Sequence, residues 1–233
     1  MKIKGLQKTT LIDYPGKIGS TVFLFGCNFR CGFCHNPELV LEEKSPDISK
    51  EEILRFLEKR KGLLEGVCIT GGEPLMTIDE EFLKRIKSIG YLVKIDTNGS
   101  FPEKLKEFID KGLIDFVAMD IKTGKERYKE ITRAGVDFDK IEESIKIISG
   151  LENYEFRTTV VEGVHDEQDI IKIVKWLTEI IGKKPKKFCI QGFKNQGKFI
   201  DESYKNKEDA SREYLEKLKQ AVENYVEKIE VRF

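Results

Sequence analysis

Short apolar runs alternate with longer amphipathic segments along most of this chain. The first run, 21–25 (TVFLF), predicts a β-strand that ends at Gly26. From about Ser49 the apolar positions recur at helical spacing, and Ser49 and Glu52 have the spacing of a capping box. This alternation continues to the end of the chain. It predicts further strands at 67–70, 91–96, 116–120, 156–161, 188–191 and 229–233, and further helices at 79–88, from 102, at 139–148, 166–181 and 208–226.

Strands that alternate with helices in this way predict an α/β fold with right-handed crossovers and a parallel sheet. Six such units are fewer than a closed (β/α)₈ barrel requires, so we expect a partial, open (β/α)₆ TIM-like barrel. A flat doubly wound sheet is the alternative, because periodicity alone does not separate the two. Neither a repeat nor a linker divides the 233 residues, so a single domain over 1–233 is expected.

Composition and charge exclude some classes of partner. Lys plus Arg and Asp plus Glu number 41 each, so no net field attracts nucleic acid or an anionic membrane. The sequence has no run of 18 or more apolar residues, and its first residues do not resemble a signal peptide. We therefore expect a cytoplasmic protein with neither a nucleic-acid nor a membrane partner.

Three of the five cysteines follow the first predicted strand. Cys27, Cys31 and Cys34 have the spacing C-x₃-C-x₂-C within the loop 26–37. Three thiolates this close in sequence can hold three irons of a cubane and leave the fourth iron without a protein ligand. An open metal position of that kind is what a site needs to bind and activate a substrate. A zinc site with His35 as its fourth ligand is the alternative, although the usual paired C-x₂₋₄-C halves are missing.

The other cysteines and two further residues have plainer interpretations. Cys68 and Cys189 lie within apolar strands and are predicted to pack in the core. His165 is predicted to be a loop residue ahead of a helix, and Trp176 a core residue of that helix.

Polar residues also follow the next three predicted strands, at the end where parallel α/β folds gather their functional residues. The glycines of 71–74 (GGEP) allow the backbone to come close to a ligand, and their carbonyls can accept from an ammonium group. A tight turn at 71–74, an ordinary turn at 96–99 and a structural ion pair at 120–122 are the alternatives. The candidate ligand-binding residues here are Gly71, Gly72, Glu73, Asp96, Asn98, Asp120 and Lys122.

The cysteine spacing, with Phe33 before the last cysteine and GGEP after the next strand, resembles the signature of the radical S-adenosylmethionine (SAM) superfamily. The resemblance implies a [4Fe–4S] cluster on the three cysteines, with SAM bound to the fourth iron through its methionyl amine and carboxylate. One electron from the reduced cluster then cleaves SAM to methionine and a 5′-deoxyadenosyl radical. Phe33, His35 and Asn36 are the cofactor-binding candidates of this loop.

Within that superfamily, the chain resembles the activases of glycyl radical enzymes. The segments 96–99 (DTNG) and 120–122 (DIK) are similar to those of pyruvate formate-lyase activating enzymes. The stretches 10–17 (TLIDYPGK) and 34–37 (CHNP) resemble the anaerobic ribonucleoside-triphosphate reductase activating proteins. The resemblance implies a glycyl radical enzyme as partner, anaerobic ribonucleoside-triphosphate reductase in the first place, and a flavodoxin- or ferredoxin-like reductant.

The same resemblance places Asp96, Asp120 and Lys122 around SAM and a monovalent cation. It places Arg157 near SAM. One departure is Phe193, which stands where those activases have a cation-site histidine. Two other functions stay open: a radical SAM enzyme for a small molecule, similar to 7-carboxy-7-deazaguanine synthase, and a non-enzymatic metal-binding module.

Overall fold

The computed structural model describes residues 1–41 and 45–233. The described part of the chain contains eight strands and eight α-helices. The strands are β1 (Ile3–Thr10), β2 (Gly19–Leu24), β3 (Gly66–Gly71), β4 (Leu92–Thr97), β5 (Phe116–Asp120), β6 (Tyr154–Val160), β7 (Lys187–Gly192) and β8 (Lys228–Arg232). The helices are α1 (Lys50–Lys59), α2 (Pro74–Thr77), α3 (Glu80–Ile89), α4 (Pro102–Asp110), α5 (Tyr128–Thr132), α6 (Phe138–Ser149), α7 (Glu167–Ile181) and α8 (Arg212–Val222).

The sheet follows the order of the chain, from β1 to β8. β1 is antiparallel to β2, whereas β2, β3 and β4 are mutually parallel, as are β6, β7 and β8. The order has two ends, so the sheet formed by the described residues is open. From β2 to β7 every strand is followed by at least one helix, which gives the six predicted units. The predicted α/β class with an open, partial barrel is confirmed.

By their contacts, the described residues form two compact units. The first comprises Met1–Asn28, Glu38–Thr97 and Phe101–Val117, and the second comprises Phe29–Pro37, Asn98–Ser100 and Ala118–Phe233. The single domain over 1–233 stays a prediction.

In the first unit, capped amphipathic helices bury one face each. The Ser49 hydroxyl accepts the Glu52 N–H at 3.1 Å at the start of α1, which is the serine half of the predicted capping box. α1 packs against α3. Each apolar side chain that a helix buries fully contributes about 1.5–3 kcal/mol, so this packing far outweighs the caps. The buried residues of the two helices include Ile53, Leu54, Leu57, Phe82, Leu83 and Ile86.

In the second unit, α6 and α7 pack together around an aromatic group. The Trp176 ring lies edge-on to Tyr128 and Phe138, and its indole N–H donates to Glu142 Oε1 at 3.1 Å. Trp176 is buried, as predicted. Cys189 in this unit and Cys68 in the first are also fully buried, which confirms the prediction that both belong to the core.

Three elements were not expected from the pattern. β1 pairs with β2 although the sequence IKGLQKTT has no regular alternation, and its exposed residues lie near its end. α2 and α5 are only four and five residues long. α8 begins at Arg212 rather than near 208, because the Ser211 hydroxyl caps it through the Tyr214 N–H at 3.2 Å.

Candidate functional site

In the second unit, Cys31 and Cys34 share a turn and the electrostatic influence of one lysine, Lys122. The Cys34 N–H donates to the Cys31 carbonyl at 3.0 Å, so a tight turn fixes the two residues relative to each other. Burial raises the pKa of both thiols, and the ammonium of Lys122 acts in the opposite direction on both. The backbone N–H of Asn36 also favours the thiolate of Cys34. Burial outweighs these groups, so the pKa of each thiol is raised, and Lys122 is the cation that acts on both sulfurs in favour of the thiolate.

Lys122 is held by a carboxylate at the end of β5. Its Nζ lies 3.2 Å from Asp120 Oδ2, and Arg157 of β6 donates to both oxygens of the same carboxylate, at 2.7 and 3.2 Å. Burial raises the pKa of Asp120, but the charges of Arg157 and Lys122 outweigh it and hold that pKa well below its usual range. Burial lowers the pKa of Lys122, and Asp120 more than reverses this. The three predicted residues thus form one fully charged group.

His165 fixes the backbone of this group, which the sequence did not indicate. It lies in the loop before α7, as predicted, but it is completely buried. Its Nδ1 accepts the Val161 N–H at 3.1 Å, so its Nε2 carries the proton and donates to the Lys122 carbonyl at 3.1 Å. The imidazole is edge-on to Phe33 of the cysteine loop. Burial lowers the pKa of His165, which keeps the ring neutral.

Aromatic rings pack against Phe33 and His35, two of the remaining loop candidates in the second unit. Phe33 is buried, whereas His35 and Asn36 are exposed. The His35 ring packs against Phe193, with 5.4 Å between ring centroids. Phe193 follows β7 directly, is fully buried and belongs to this aromatic group. The residue that departs from the family pattern is therefore a packing residue.

In the first unit, the glycines of GGEP pack against the chain's own backbone. Gly71 has a φ of +113°, and a Cβ on Gly72 would lie 1.9 Å from the carbonyl oxygen of Gly26. The Glu73 N–H donates to that same oxygen at 2.7 Å. The close approach that the sequence assigned to a ligand is thus made to the residue before Cys27. The contact of the glycine carbonyls with a ligand stays a prediction.

Glu73 is buried and takes part in this turn. Its Oε1 accepts the Leu75 N–H at 3.1 Å, which caps α2, and the Thr97 hydroxyl at 2.9 Å. Its side chain thereby ties the end of β3 to the end of β4. A contact of Glu73 with a bound ligand remains a prediction.

Asp96 pairs with a lysine of its own strand. Lys94 Nζ contacts Asp96 Oδ1, and Cys68 Sγ lies 3.7 Å from Lys94 Nζ. Of the two predicted acidic residues, Asp120 is the one that pairs with Lys122, whereas Asp96 pairs with Lys94. A monovalent cation at Asp96 and Asp120 stays a prediction.

Asn98, in the second unit, forms a local turn. Its Oδ1 accepts the Ser100 N–H at 3.0 Å, as expected of the ordinary turn that was the alternative for 96–99.

Within residues 1–41 and 45–233, no three His, Cys, Asp or Glu side chains converge on a position for a single metal ion. A cubane is bound differently, because each cysteine ligates a different iron. All five cysteines lie in the described residues, and none forms a disulfide. None of the described helices is both long and apolar enough to cross a membrane.

Comparison with known proteins identifies the family. The model of the Radical SAM superfamily matches residues 21–177, which is more than half of the chain. The chain belongs to the radical SAM superfamily. The family's cofactors are a [4Fe–4S] cluster and SAM, and its members are enzymes.

Several relatives are similar in sequence to this radical SAM chain. One, from Methanocaldococcus jannaschii, carries the provisional name glycyl-radical enzyme activating enzyme and is 36% identical over 207 residues, 86% of this chain and 83% of the relative. The pyruvate formate-lyase-activating enzyme of Clostridium pasteurianum is 32% identical over 157 residues, 63% of this chain and 65% of that enzyme. Streptococcus suis SuiB bound to its precursor peptide SuiA shares the fold, with a TM-score of 0.70, 17% identity, and coverage of 91% of this chain and 48% of SuiB.

Proposed function

We propose that this radical SAM enzyme is an activase that generates a glycyl radical on a partner protein. Its similarity to the Methanocaldococcus relative extends over 86% of the chain, and that relative is named for this activity. When bound, the reduced cluster and SAM supply the radical that abstracts the hydrogen. The observation that carries the site assignment is the ion pair of Lys122 with Asp120, because the ammonium of Lys122 lowers the pKa of both Cys31 and Cys34 against the effect of burial.

Cys27, Cys31 and Cys34 are the proposed cluster ligands. Their chemistry fits an anionic, thiolate-bound cluster, because the ammonium of Lys122 compensates negative charge near two of the sulfurs. Cys27 directly follows Gly26, whose carbonyl the GGEP turn anchors through the Glu73 N–H. The backbone before Cys27 is therefore anchored at Gly26.

Lys122 is the proposed partner of the SAM carboxylate. Asp120 would remain neutralised by Arg157 while Lys122 turns to a second carboxylate, because Arg157 binds both of its oxygens. His165 donates a hydrogen bond to the Lys122 carbonyl and so fixes the backbone position from which the lysine side chain extends. Gly71, Gly72, Glu73, Asp96 and Asn98 are the further proposed contacts of the SAM site.

Anaerobic ribonucleoside-triphosphate reductase is the proposed partner, and a flavodoxin- or ferredoxin-like protein the proposed reductant. The stretches TLIDYPGK and CHNP support this choice. A reducing compartment, the cytoplasm, fits an enzyme that needs free thiolates.

The partner is tested by incubating the reduced, reconstituted enzyme with SAM and the reductase without oxygen, and recording the electron paramagnetic resonance spectrum. We expect a glycyl radical doublet that is missing when the Cys34→Ala variant is used. A pyruvate formate-lyase partner, tested in parallel, separates the two activase types. SAM turnover that responds to neither protein but accelerates with a small metabolite would favour the small-molecule alternative.

A further inference from the structure

The connection between β7 and α8, residues 193–211, is a folded lobe of the second unit. The Asn195 amide donates to the carbonyls of Lys205 and Lys207, at 2.8 and 2.6 Å, and the Asn195 N–H donates to Asp209. A short 3-10 helix, Glu202–Asn206, begins after Asp201, which caps it. These hydrogen bonds give the lobe a fixed shape without regular secondary structure over most of its length.

The lobe contacts the cysteine loop between two proposed ligands. The Asp201 N–H donates to the Gly32 carbonyl at 3.0 Å, and the Tyr204 ring lies 6.0 Å from the Phe33 ring. A Cβ on Gly32 would come within 2.7 Å of the Tyr204 ring and 3.3 Å of the Asp201 Cβ. Only glycine allows the loop to lie this close to the lobe.

The C-terminus of α5 contacts the same loop with a strained residue. Arg133 has a φ of 49° and is the sole non-glycine residue with a positive φ in the described chain. A left-handed conformation is strained for a residue with a Cβ, so other contacts must hold it. Its guanidinium pairs with Asp201 and would lie 3.2 Å from a Cβ on Gly32. The neighbouring Thr132 carbonyl accepts the Arg30 N–H at 2.8 Å.

We infer that Arg133, Asp201 and Tyr204 form a clamp that positions the Cys31–Cys34 turn and restricts the access of solvent to the bound cluster. None of the three is a ligand, and each acts on the turn through Gly32 or Phe33. Groups around a metal centre that orient its ligands and exclude water tune its stability and reduction potential. The inference rests on the proposed assignment of the cluster to the three cysteines.

The test compares Tyr204→Ala with Tyr204→Phe in the reconstituted holoenzyme. The clamp uses the ring of Tyr204, so Tyr204→Phe should behave as the wild type. Tyr204→Ala should lose its cluster absorbance in air about tenfold faster, with a shifted midpoint potential of the cluster. Tyr225→Ala, which removes an aromatic ring that contacts Lys175, is the matched control and should change neither quantity.

Arg133→Gly provides a second variant that does not depend on the packing of Tyr204. Glycine adopts the left-handed conformation without strain, so this variant should keep or gain thermal stability while it loses the ion pair to Asp201. The cluster absorbance of Arg133→Gly should still be lost in air faster than that of the wild type.

The outcomes separate the clamp from the assignment of the cluster. Wild-type bleaching rates and potentials in both Tyr204→Ala and Arg133→Gly would overturn the clamp and leave the proposed function intact. A wild-type protein that takes up no cluster, or a Cys34→Ala variant that takes up an equivalent one, would overturn the assignment and the clamp with it.

Discussion

The ends of β4 and β5 carry the same two charges in opposite order. Lys94 precedes Asp96 by two residues, whereas Asp120 precedes Lys122 by two. Because the chain runs toward the carboxyl end of each strand, the later residue lies nearer that end. The exposed fraction of the side chain is 1% for Lys94 and 14% for Asp96, but 15% for Lys122 and 19% for Asp120. At β4 the Lys94 ammonium is thus buried, with Asp96 nearer the carboxyl end of the strand. At β5 the Lys122 side chain is nearer that end and stays partly exposed.

Asp120 has two cationic partners. Asp120 is paired with Arg157 as well as with Lys122, so a ligand can engage Lys122 without leaving the carboxylate alone. Lys94 is almost completely buried, and its contact with Asp96 compensates its charge. The lysine therefore suits a structural role at β4, whereas the lysine at β5 suits a ligand-binding role.

The largest expected effect is that of Lys122→Met. Loss of the ammonium should reduce the formation of 5′-deoxyadenosine about 100-fold, which corresponds to about 2.7 kcal/mol of transition-state stabilisation. The free energy of unfolding should change by less than about 1 kcal/mol, because Asp120 keeps Arg157. Product assays and urea unfolding of the same preparation measure both quantities. Product within about threefold of the wild type would remove Lys122 from the SAM site.

Lys94→Met is the matched variant. We expect it to lower the free energy of unfolding and to leave SAM binding unchanged, the reverse of Lys122→Met. Removal of the buried ammonium leaves Asp96 without this partner, so we expect a loss of about 2 kcal/mol of stability, less than for a fully buried pair. SAM affinity per folded molecule should stay near the wild-type value. Equilibrium urea unfolding measures the first and SAM titration the second. Unchanged stability with weakened SAM binding would contradict the structural role of Lys94.

Arg157→Lys tests the bidentate contact to Asp120. Lysine keeps the charge but offers no fork of two donors, so Asp120 would depend more strongly on Lys122. We expect about tenfold weaker SAM binding, or about 1.4 kcal/mol. Isothermal titration under anaerobic conditions measures the affinity. An unchanged SAM affinity would show that Lys122 binds SAM equally well without the two-donor contact of Arg157 to Asp120.

The smallest effect concerns pH and His165, which holds the backbone of the β5 group at the Lys122 carbonyl. Its pKa is lowered in the folded protein, so it contributes stability that is complete above its unfolded pKa, about 6.5, and is lost as pH falls toward its folded pKa. The wild type should lose stability below about pH 6.5 at no more than about 1.4 kcal/mol per pH unit from this group. His165→Gln should lower that slope, as measured by urea unfolding from pH 7.5 to 5.5. Equal slopes would contradict the buried neutral imidazole.

The fold and the site candidates could largely be predicted from the sequence, because both depend on local pattern. Strand and helix periodicity gave the six units, and motif spacing located the cysteines and the Asp120–Lys122 pair. The burial of His165 could not be predicted, because its partners, Phe33 and the Lys122 carbonyl, are distant in sequence. The lobe 193–211 has no periodicity at all. For Gly72, the sequence predicted a close approach of the backbone to a ligand. The fold shows a close approach of Gly72 to the backbone of Gly26.

The most direct test of the central claim is the production of 5′-deoxyadenosine by the anaerobically reconstituted, dithionite-reduced protein with SAM. We expect product from the wild type and from Cys189→Ala, whose buried thiol lies outside the cysteine loop, and none from Cys34→Ala. Product from the Cys34→Ala variant at the wild-type rate, or a reduced protein that carries a cluster but binds no SAM, would contradict the account.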